Sequence, residues 1–380
     1  MRATSTRVSV IVPFMNAQPF ITEAIESVLA QSYPAWELLL VDDGSTDGSR
    51  AVAQRYAERY PEKILCLEHD GRQNRGVSAS LNLAMVRARG DYIALLDADD
   101  LCKPHRLEKQ VAFLDAHPEV ALLGSWFLLI DEKGTYLEKV RPPCEDRELR
   151  WELFFNNPFA NSAVMLRRKP VLSQVGLHDE SCVYAKDYEL WCRIADRFLV
   201  ANLPEHLASR RVHRASMTST YPDATPEFTR LRMARINSLL EWENSGDTTG
   251  EARLAAISAL YFGWAMNLEP ARLSQATADL LELHAAFYER EGIRSEEVQQ
   301  RTHSLRARIA ANLVMLTVFC SSDRVGVRGR LLAHAWRLDR RVFLHPRTLA
   351  RAGRAIAGTY IPHLRRAPAA IGPPEPAGRP

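Results

Sequence analysis

Short apolar runs alternate with helical periodicity through the first hundred residues. Val8 to Pro13 (VSVIVP) is β-branched and apolar, the pattern of a parallel strand buried on both faces and ended by proline. Residues 18–31 then place Phe20, Ile21, Ile25, Val28 and Leu29 on one helical face. Glu37 to Val41 predicts a second strand, 48–60 a helix, and 63–68 a third strand. Residues 76–89 predict another helix stopped by Gly90, and Tyr92 to Leu96 a fourth strand. This β-α-β alternation predicts an α/β fold with a mostly parallel sheet and helices on both faces. In such sheets ligands sit beyond the carboxyl ends of the strands. The acidic runs Asp42-Asp43 and Asp97-Ala98-Asp99-Asp100 both fall at those ends.

Further along, 120–130 predicts a strand that pairs with 135–140 through a turn at Lys133-Gly134. Residues 161–167 read as a strand, 187–197 as a helix, and 198–203 as the last strand of the sheet. After Tyr221-Pro222 the chain becomes rich in Ala, Leu, Arg and Glu, with apolar spacings of three and four up to 345. Beyond 366, Ala-Pro-Ala-Ala-Ile-Gly-Pro-Pro-Glu-Pro reads as disordered. The expected organisation is a sheet domain over 1–220, a helical region over 221–366 and a disordered tail over 367–380.

Composition adjusts this picture at three points. The chain of 380 residues, 46% apolar and 25% charged, has the balance of a packed globular protein. It lacks a run of roughly 18–20 apolar residues, so no membrane span is expected. The basic start is followed by no small-residue cleavage site, so no secretory signal is expected either. Six cysteines fit no zinc spacing and read as reduced thiols. The net charge of +3 hides an asymmetry: residues 321–380 carry 12 Arg, 3 acidic residues and no Lys. Such a basic end suits an anionic partner.

The chemistry begins with Asp97 and Asp99. Carboxylates at i and i+2 on a strand end can point the same way. The pair suits a hard divalent cation that in turn binds a diphosphate. It also suits a solvated turn that caps a helix. Asp43 can accept a hydrogen bond from a nucleobase or a ribose hydroxyl, or serve the following helix as a cap with Ser45 or Asp47.

Two stretches carry a family resemblance. VSVIVPFMNAQPFITEAIESVLAQSYPAWELLLVDDGSTDGS resembles the opening of family 2 glycosyltransferases. QNRGVSASLNLAMVRARGDYIALLDADDLCKPHRL resembles the central segment of that family. The resemblance covers residues 8–220 and implies the GT-A fold, a Rossmann-like, mostly parallel mixed sheet flanked by helices. It implies that Pro13, Phe14 and Asn16 lie along the nucleotide and that Asp43, beside Asp42, contacts the base. Asn74 and Arg75 fall near the nucleotide sugar, Asp97 near the ribose or metal, and Asp99 on a divalent metal, Mg²⁺ or Mn²⁺.

Inverting transfer needs a group that takes the acceptor's proton. Residues 185–193 (AKDYELWCR) resemble the family's ED-x-x-L-W-x-R motif, which implies Asp187 as that base. Glu189 is the competing candidate, and a plain N-cap is the alternative role for Asp187. Lys186 stands where the motif has Glu. Residues 210–218 resemble the family's Y-R-x-H-x-x-S-x-S segment, which implies His213 near the diphosphate or its metal. Arg210, Arg211 and Arg214 around it suit a diphosphate. Residues 158–180 resemble the part that shapes the acceptor side, with Asn161 and Ser162 lining it.

The implied activity is transfer from a nucleotide-diphosphate sugar, UDP-linked before dTDP or GDP, to a saccharide or lipid-linked acceptor. The implied setting is cell-envelope polysaccharide or glycolipid synthesis. A non-catalytic sensor or scaffold of the same fold is the alternative. A sugar nucleotidyltransferase would carry a Gly-rich basic loop where this chain has Pro13-Phe14-Met15-Asn16. Over 328–366, Arg residues alternate with Leu, Trp336, Val342 and Phe343, as in amphipathic helices lying on an anionic membrane. An Arg-bearing face packed on the body is the other reading. No nucleic-acid reading motif is seen, and nucleic acid is not an expected partner. The expected location is the cytoplasm, with peripheral contact at the inner face of the cell membrane.

Overall fold

The computed structural model describes residues 6–213, 226–240, 250–263, 269–319 and 325–344. They fall into two compact units that divide between Arg235 and Ile236. In the first, β1 (Val8–Phe14), β2 (Trp36–Asp42) and β4 (Tyr92–Leu95) are buried at every position. Unbroken apolar runs form such strands because helices cover both faces. With β3 (Ile64–Glu68) at the edge they give a parallel half-sheet in the order β3-β2-β1-β4.

The other half is mixed. β8 (Met165–Arg167) runs antiparallel to both β4 and β6 (Val120–Ile130). β6 pairs in parallel with β9 (Leu199–Arg211) and forms a hairpin with β7 (Tyr136–Val140). The two-residue β5 (Leu101–Cys102) joins β9 antiparallel. The sheet is thus GT-A-like and mixed.

Side chains alternate between the two faces of β1, as the period of two requires. Val8, Val10 and Val12 pack with Leu38 and Leu40 against α1 (Ile21–Leu29) and α4 (Arg106–Ala116). Ile11, Leu39 and Val41 pack on the other side with α3 (Val77–Arg87) and α7 (Lys186–Ala195). α2 (Ser49–Arg59) adds Ala53 to the first layer. α5 (Asp146–Glu152) and α6 (Arg168–Gln174) flank the mixed half.

Three differences from the sequence-based expectation have physical causes. The face of α4 that meets the sheet includes fully buried Arg106 and Gln110, whose polarity hides its apolar stripe. Arg106 donates to the carbonyls of Leu95 and Val164 at 3.0 and 2.8 Å, so the burial serves to fasten β4 to the segment before β8. Residues 161–163 form a 3-10 turn rather than strand, because the side chains of Asn161 and Ser162 bond to Asp97. β9 continues past 203: its register with β6 jumps from Leu203 to His206, so Pro204 and Glu205 bulge out and the ladder resumes.

The first unit also continues beyond residue 220. The helix Pro226–Asn237 starts on it: Glu227 accepts the backbone N–H groups of Val183, Tyr184 and Ala185 at 2.8, 2.7 and 3.0 Å. Phe228 enters the layer beneath α7, and Arg235 pairs with Asp196 at 2.8 Å. The second unit is helical, with Gly250–Phe262, Pro270–Arg290, Ser295–Phe319 and Val325–Leu338. Its core includes Leu254, Ile257, Leu280, Leu283, Ile309 and Leu313. Among the described residues no helix is long and apolar enough to cross a membrane. The expected disordered tail, and the basic stretch from 345 to 366, lie outside the described residues.

Candidate active site

The first acidic turn follows β2. Asp42 is 2% exposed and points inward. Its Oδ1 accepts the Ser45 N–H at 2.9 Å, and its Oδ2 lies 3.9 Å from Arg50 Nε. Asp42 therefore closes the turn. Asn16, in the left-handed region at φ 51°, does the same from β1: its Oδ1 accepts the N–H groups of Thr46 and Asp47 at 2.8 and 3.3 Å. Phe14 and Pro13 are buried, and the Phe14 ring belongs to the core. What Phe14 offers the turn is its carbonyl, which accepts the Asp43 N–H at 2.9 Å.

Asp43 is 5% exposed and takes its partners from the loop after β3. Its Oδ1 accepts the Arg75 N–H at 2.8 Å and lies 3.7 Å from His69 Nε2. His69 in turn meets Ser80 Oγ at 2.9 Å. Gly44 allows the loop bearing Asn74 to come this close. Its φ is 81°, and a Cβ there would meet the Asn74 nitrogen at 2.9 Å. Asn74 lies against Met15, and the Arg75 side chain is exposed.

The second acidic turn follows β4. Asp97 donates its N–H to Ser162 Oγ at 2.9 Å and accepts Asn161 Nδ2 at 2.7 Å. Ser162 is 1% exposed and fastens this turn from within, rather than lining an open acceptor surface. Asn161 keeps a buried Oδ1 with no partner among the described residues. Asp99 Oδ2 meets His213 Nε2 at 2.8 Å, and the His213 ring rests 5.0 Å from that of Phe20. Asp100 accepts the Arg211 N–H at 2.6 Å.

Arg211 corrects a sequence-based expectation. Its side chain is fully buried and ties Glu23 Oε2 at 2.7 Å, the Asp99 carbonyl at 2.8 Å and the Glu132 carbonyl at 2.8 Å. It holds the acidic turn in place instead of reaching a diphosphate. Arg214 lies outside the described residues.

These carboxylates strain one another electrostatically. Burial pushes the Asp97 carboxyl above its ordinary range, and the neighbouring Asp99 charge adds to it. Asp100 is pushed well above, again by burial first and then by Asp99 and Asp97. Sequence reading missed Asp100 and His69. The third acid of the run was visible, but its burial was not.

The third element is α7. Tyr188, Leu190, Trp191 and Ile194 are all 0% exposed and anchor it. Asp187, in its first turn, accepts Asn157 Nδ2 at 3.3 Å. Lys186 and Asp187 lie within electrostatic reach of Asp97, so α7 and the second acidic turn face one site. The Lys186 ammonium makes no hydrogen bond or ion pair among the described residues. Glu189 is paired with Arg193 at 2.6 Å, and Arg193 also donates to the carbonyls of Val175 and Leu177. That pairing removes Glu189 from the reacting centre.

The fit to a divalent cation rests on the donor set. Asp99 and His213 already touch, and a cation beside them would relieve the crowding that pushes the Asp97 and Asp100 carboxyls above their ordinary range. No three such side chains already form a metal cage among the described residues. Magnesium-like ions are commonly held by one or two protein groups together with substrate phosphates and water, so this open set fits.

A half-sheet whose carboxyl edge carries two acidic turns, with a further carboxylate at the head of α7, is a GT-A-like layout. The family model described as Glycosyl transferase family 2 matches residues 9–176. A putative glycosyltransferase of Bacillus subtilis, EpsE, is 36% identical over 203 residues, 53% of this chain and 71% of that protein. The amylovoran biosynthesis glycosyltransferase AmsE of Erwinia amylovora is 36% identical over 191 residues, 50% and 69% of the two chains. The crystal structure of S. aureus TarS 1-349 in complex with UDP-GlcNAc shares the fold at a TM-score of 0.51 and 18% identity, over 89% of this chain and 92% of that one. The chain belongs to glycosyltransferase family 2.

Proposed function

We propose that the chain is an inverting, metal-dependent hexosyltransferase that uses a nucleotide-diphosphate sugar, UDP-linked in the first instance. The observation that carries this reading is the convergence of the second acidic turn and the head of α7 on one site, felt at Asp97. Asp43 would hold the base or ribose, with Pro13 to Asn16 and the Asn74-Arg75 loop around it. Asp99 with His213, next to Asp97, would hold Mg²⁺ or Mn²⁺. A bound cation of that kind offsets the charge that grows on a leaving diphosphate.

The transfer is a single displacement. The acceptor oxygen bonds to the anomeric carbon as the bond from that carbon to the diphosphate oxygen breaks. Asp187 takes the acceptor's proton. Asn157 orients the carboxylate, and Glu227 fixes the backbone before it. The acceptor is a saccharide or lipid-linked hydroxyl, and the relationship to an amylovoran biosynthesis enzyme supports a polysaccharide setting.

Asp187→Asn should lower transfer by about 10²–10⁴-fold while calorimetric binding of UDP with Mn²⁺ survives. Transfer that persists in this variant would remove Asp187 from the role of base. A thermal-shift series of nucleotide sugars with each metal then identifies the donor, since a ligand held by the folded state raises the melting temperature.

The reading extends to peripheral membrane contact at the inner face of the cell membrane. It is supported by Trp336, 57% exposed, among exposed Arg330, Arg337, Arg340 and Arg341.

A further inference from the structure

One residue away from Asp187, across Asn157, lies a groove of about 360 Å³, a size suited to a small ligand. Phe127 and Leu129 of β6, Val140 of β7 and Pro142-Pro143 give it an apolar floor. Asn157 stands on its wall and donates to Asp187 at 3.3 Å, so one wall residue of the groove touches the candidate base. Two cations border it. Arg141 is exposed, with its guanidinium over the Trp126 ring at 5.3 Å, and Arg210 is half-buried. Neither makes an ion pair or a side-chain hydrogen bond among the described residues. Lys186, next to the base, is likewise unpaired. The one carboxylate lining the groove is Glu152.

A neutral sugar in this groove would offer the two guanidinium groups hydroxyl oxygens as acceptors but no counter-charge. A carboxylate or phosphate would pair with the guanidinium fork. The catalytic turns point the same way. Asp97, Asp99, Asp100 and Asp187 form an acidic site that repels an anion. Lys186, within electrostatic reach of Asp97, is placed to offset that repulsion, and Arg141 and Arg210 border the groove whose wall residue Asn157 touches Asp187. We infer that the acceptor is an anionic saccharide, whose carboxylate or phosphate is read by Arg141 and Arg210 with Lys186 beside the attacked hydroxyl. This rests on the proposed transferase reading and names the acceptor class for that same site.

The test is binding to the full-length protein with UDP and Mn²⁺ present, followed by saturation-transfer NMR. The probes are methyl glucuronoside, methyl glucoside 6-phosphate and methyl glucoside. The expected result is at least one anionic probe bound about tenfold more tightly than the neutral one, the size of one charge-assisted hydrogen bond. The preference should fall in Arg141→Gln/Arg210→Gln and in Lys186→Gln, and return in Arg141→Lys/Arg210→Lys. That rescue separates charge recognition from a merely structural role. Equal binding of all three probes overturns the inference, as does a preference that survives the Gln variants. A second arm compares UDP-glucuronate with UDP-glucose as ligands. A charge preference shown there and not among the acceptors assigns the anion to the donor and also overturns it. Because binding is read, a failure of Asp187 as base leaves this outcome legible on its own.

Discussion

His178 shows what a single buried residue contributes. It is 4% exposed, its Nδ1 lies 3.3 Å from the Lys186 carbonyl, and its Nε2 has no partner among the described residues. Burial pulls its pKa down to about 4, against the hydrogen bond to the Lys186 carbonyl and the Asp187 charge, which raise it; the Lys186 and Arg193 charges lower it further. The folded state therefore holds a neutral ring, while the unfolded chain takes up a proton near pH 6.5. Stability is complete above pH 6.5 and is lost as pH falls toward 4, by up to about 3 kcal/mol for this group. Denaturant unfolding at pH 7.5 and pH 5 should show the loss, and His178→Gln should show less of it. An equal pH dependence in both would discard this account. Some dependence should remain in the variant, because burial also draws His284 down to about 4. None of this was legible in the sequence, where a histidine's burial cannot be seen. The same limit affected Asp42 and Asn16. Polar residues at a strand end read as ligand contacts, yet both spend their side chains on the turn itself. The positions of Asp43 and Asp99 after strand ends, and of Asp187 at the head of a helix, were legible because strand patterning and motif spacing place them.

At the scale of elements, the unbroken apolar strands were read to within a residue or two, since burial on both faces leaves no other pattern. The elements missed were those held by buried polar side chains. Arg211 is one such tie, linking β9 to the acidic turn and to α1. Arg211→Met should destabilise the fold by about 1–3 kcal/mol, because it leaves the Asp99, Asp131 and Glu132 carbonyls without their donor, while the half-exposed Glu23 returns to water. Thermal unfolding checks this, and a loss below about 1 kcal/mol would make the cluster incidental. Glu227 is the second tie. It accepts three consecutive N–H groups just before α7. Glu227→Ala should strand those donors, loosen the segment by about 1–3 kcal/mol, and lower kcat more than it raises the donor KM. Faster hydrogen exchange at residues 183–187 is the accompanying sign. A variant with unchanged exchange and unchanged kcat would show that the head of α7 holds itself.

At the scale of the whole chain, the feature to be explained is charge segregation. Residues 321–380 carry 12 Arg against 3 acidic residues, while the rest of the chain is slightly acidic. An even spread would serve solubility equally well, so the clustering asks for an anionic surface. Each Arg near an anionic bilayer contributes about 1 kcal/mol, and Trp is favoured at the interface. Exposed Trp336 beside Arg337, Arg340 and Arg341 supplies both terms in the described part of this region. The full-length protein should float with phosphatidylcholine vesicles containing phosphatidylglycerol, and not with phosphatidylcholine alone. Raising salt should release it, because the attraction is screened over a Debye length of about 8 Å at physiological ionic strength. Arg337→Gln/Arg340→Gln/Arg341→Gln should weaken flotation in proportion to charge, and Trp336→Ser should weaken it at all salt concentrations. If these variants float as well as the parent, the basic region instead covers apolar surface of the protein with its Arg stems. Their melting temperatures would then fall together.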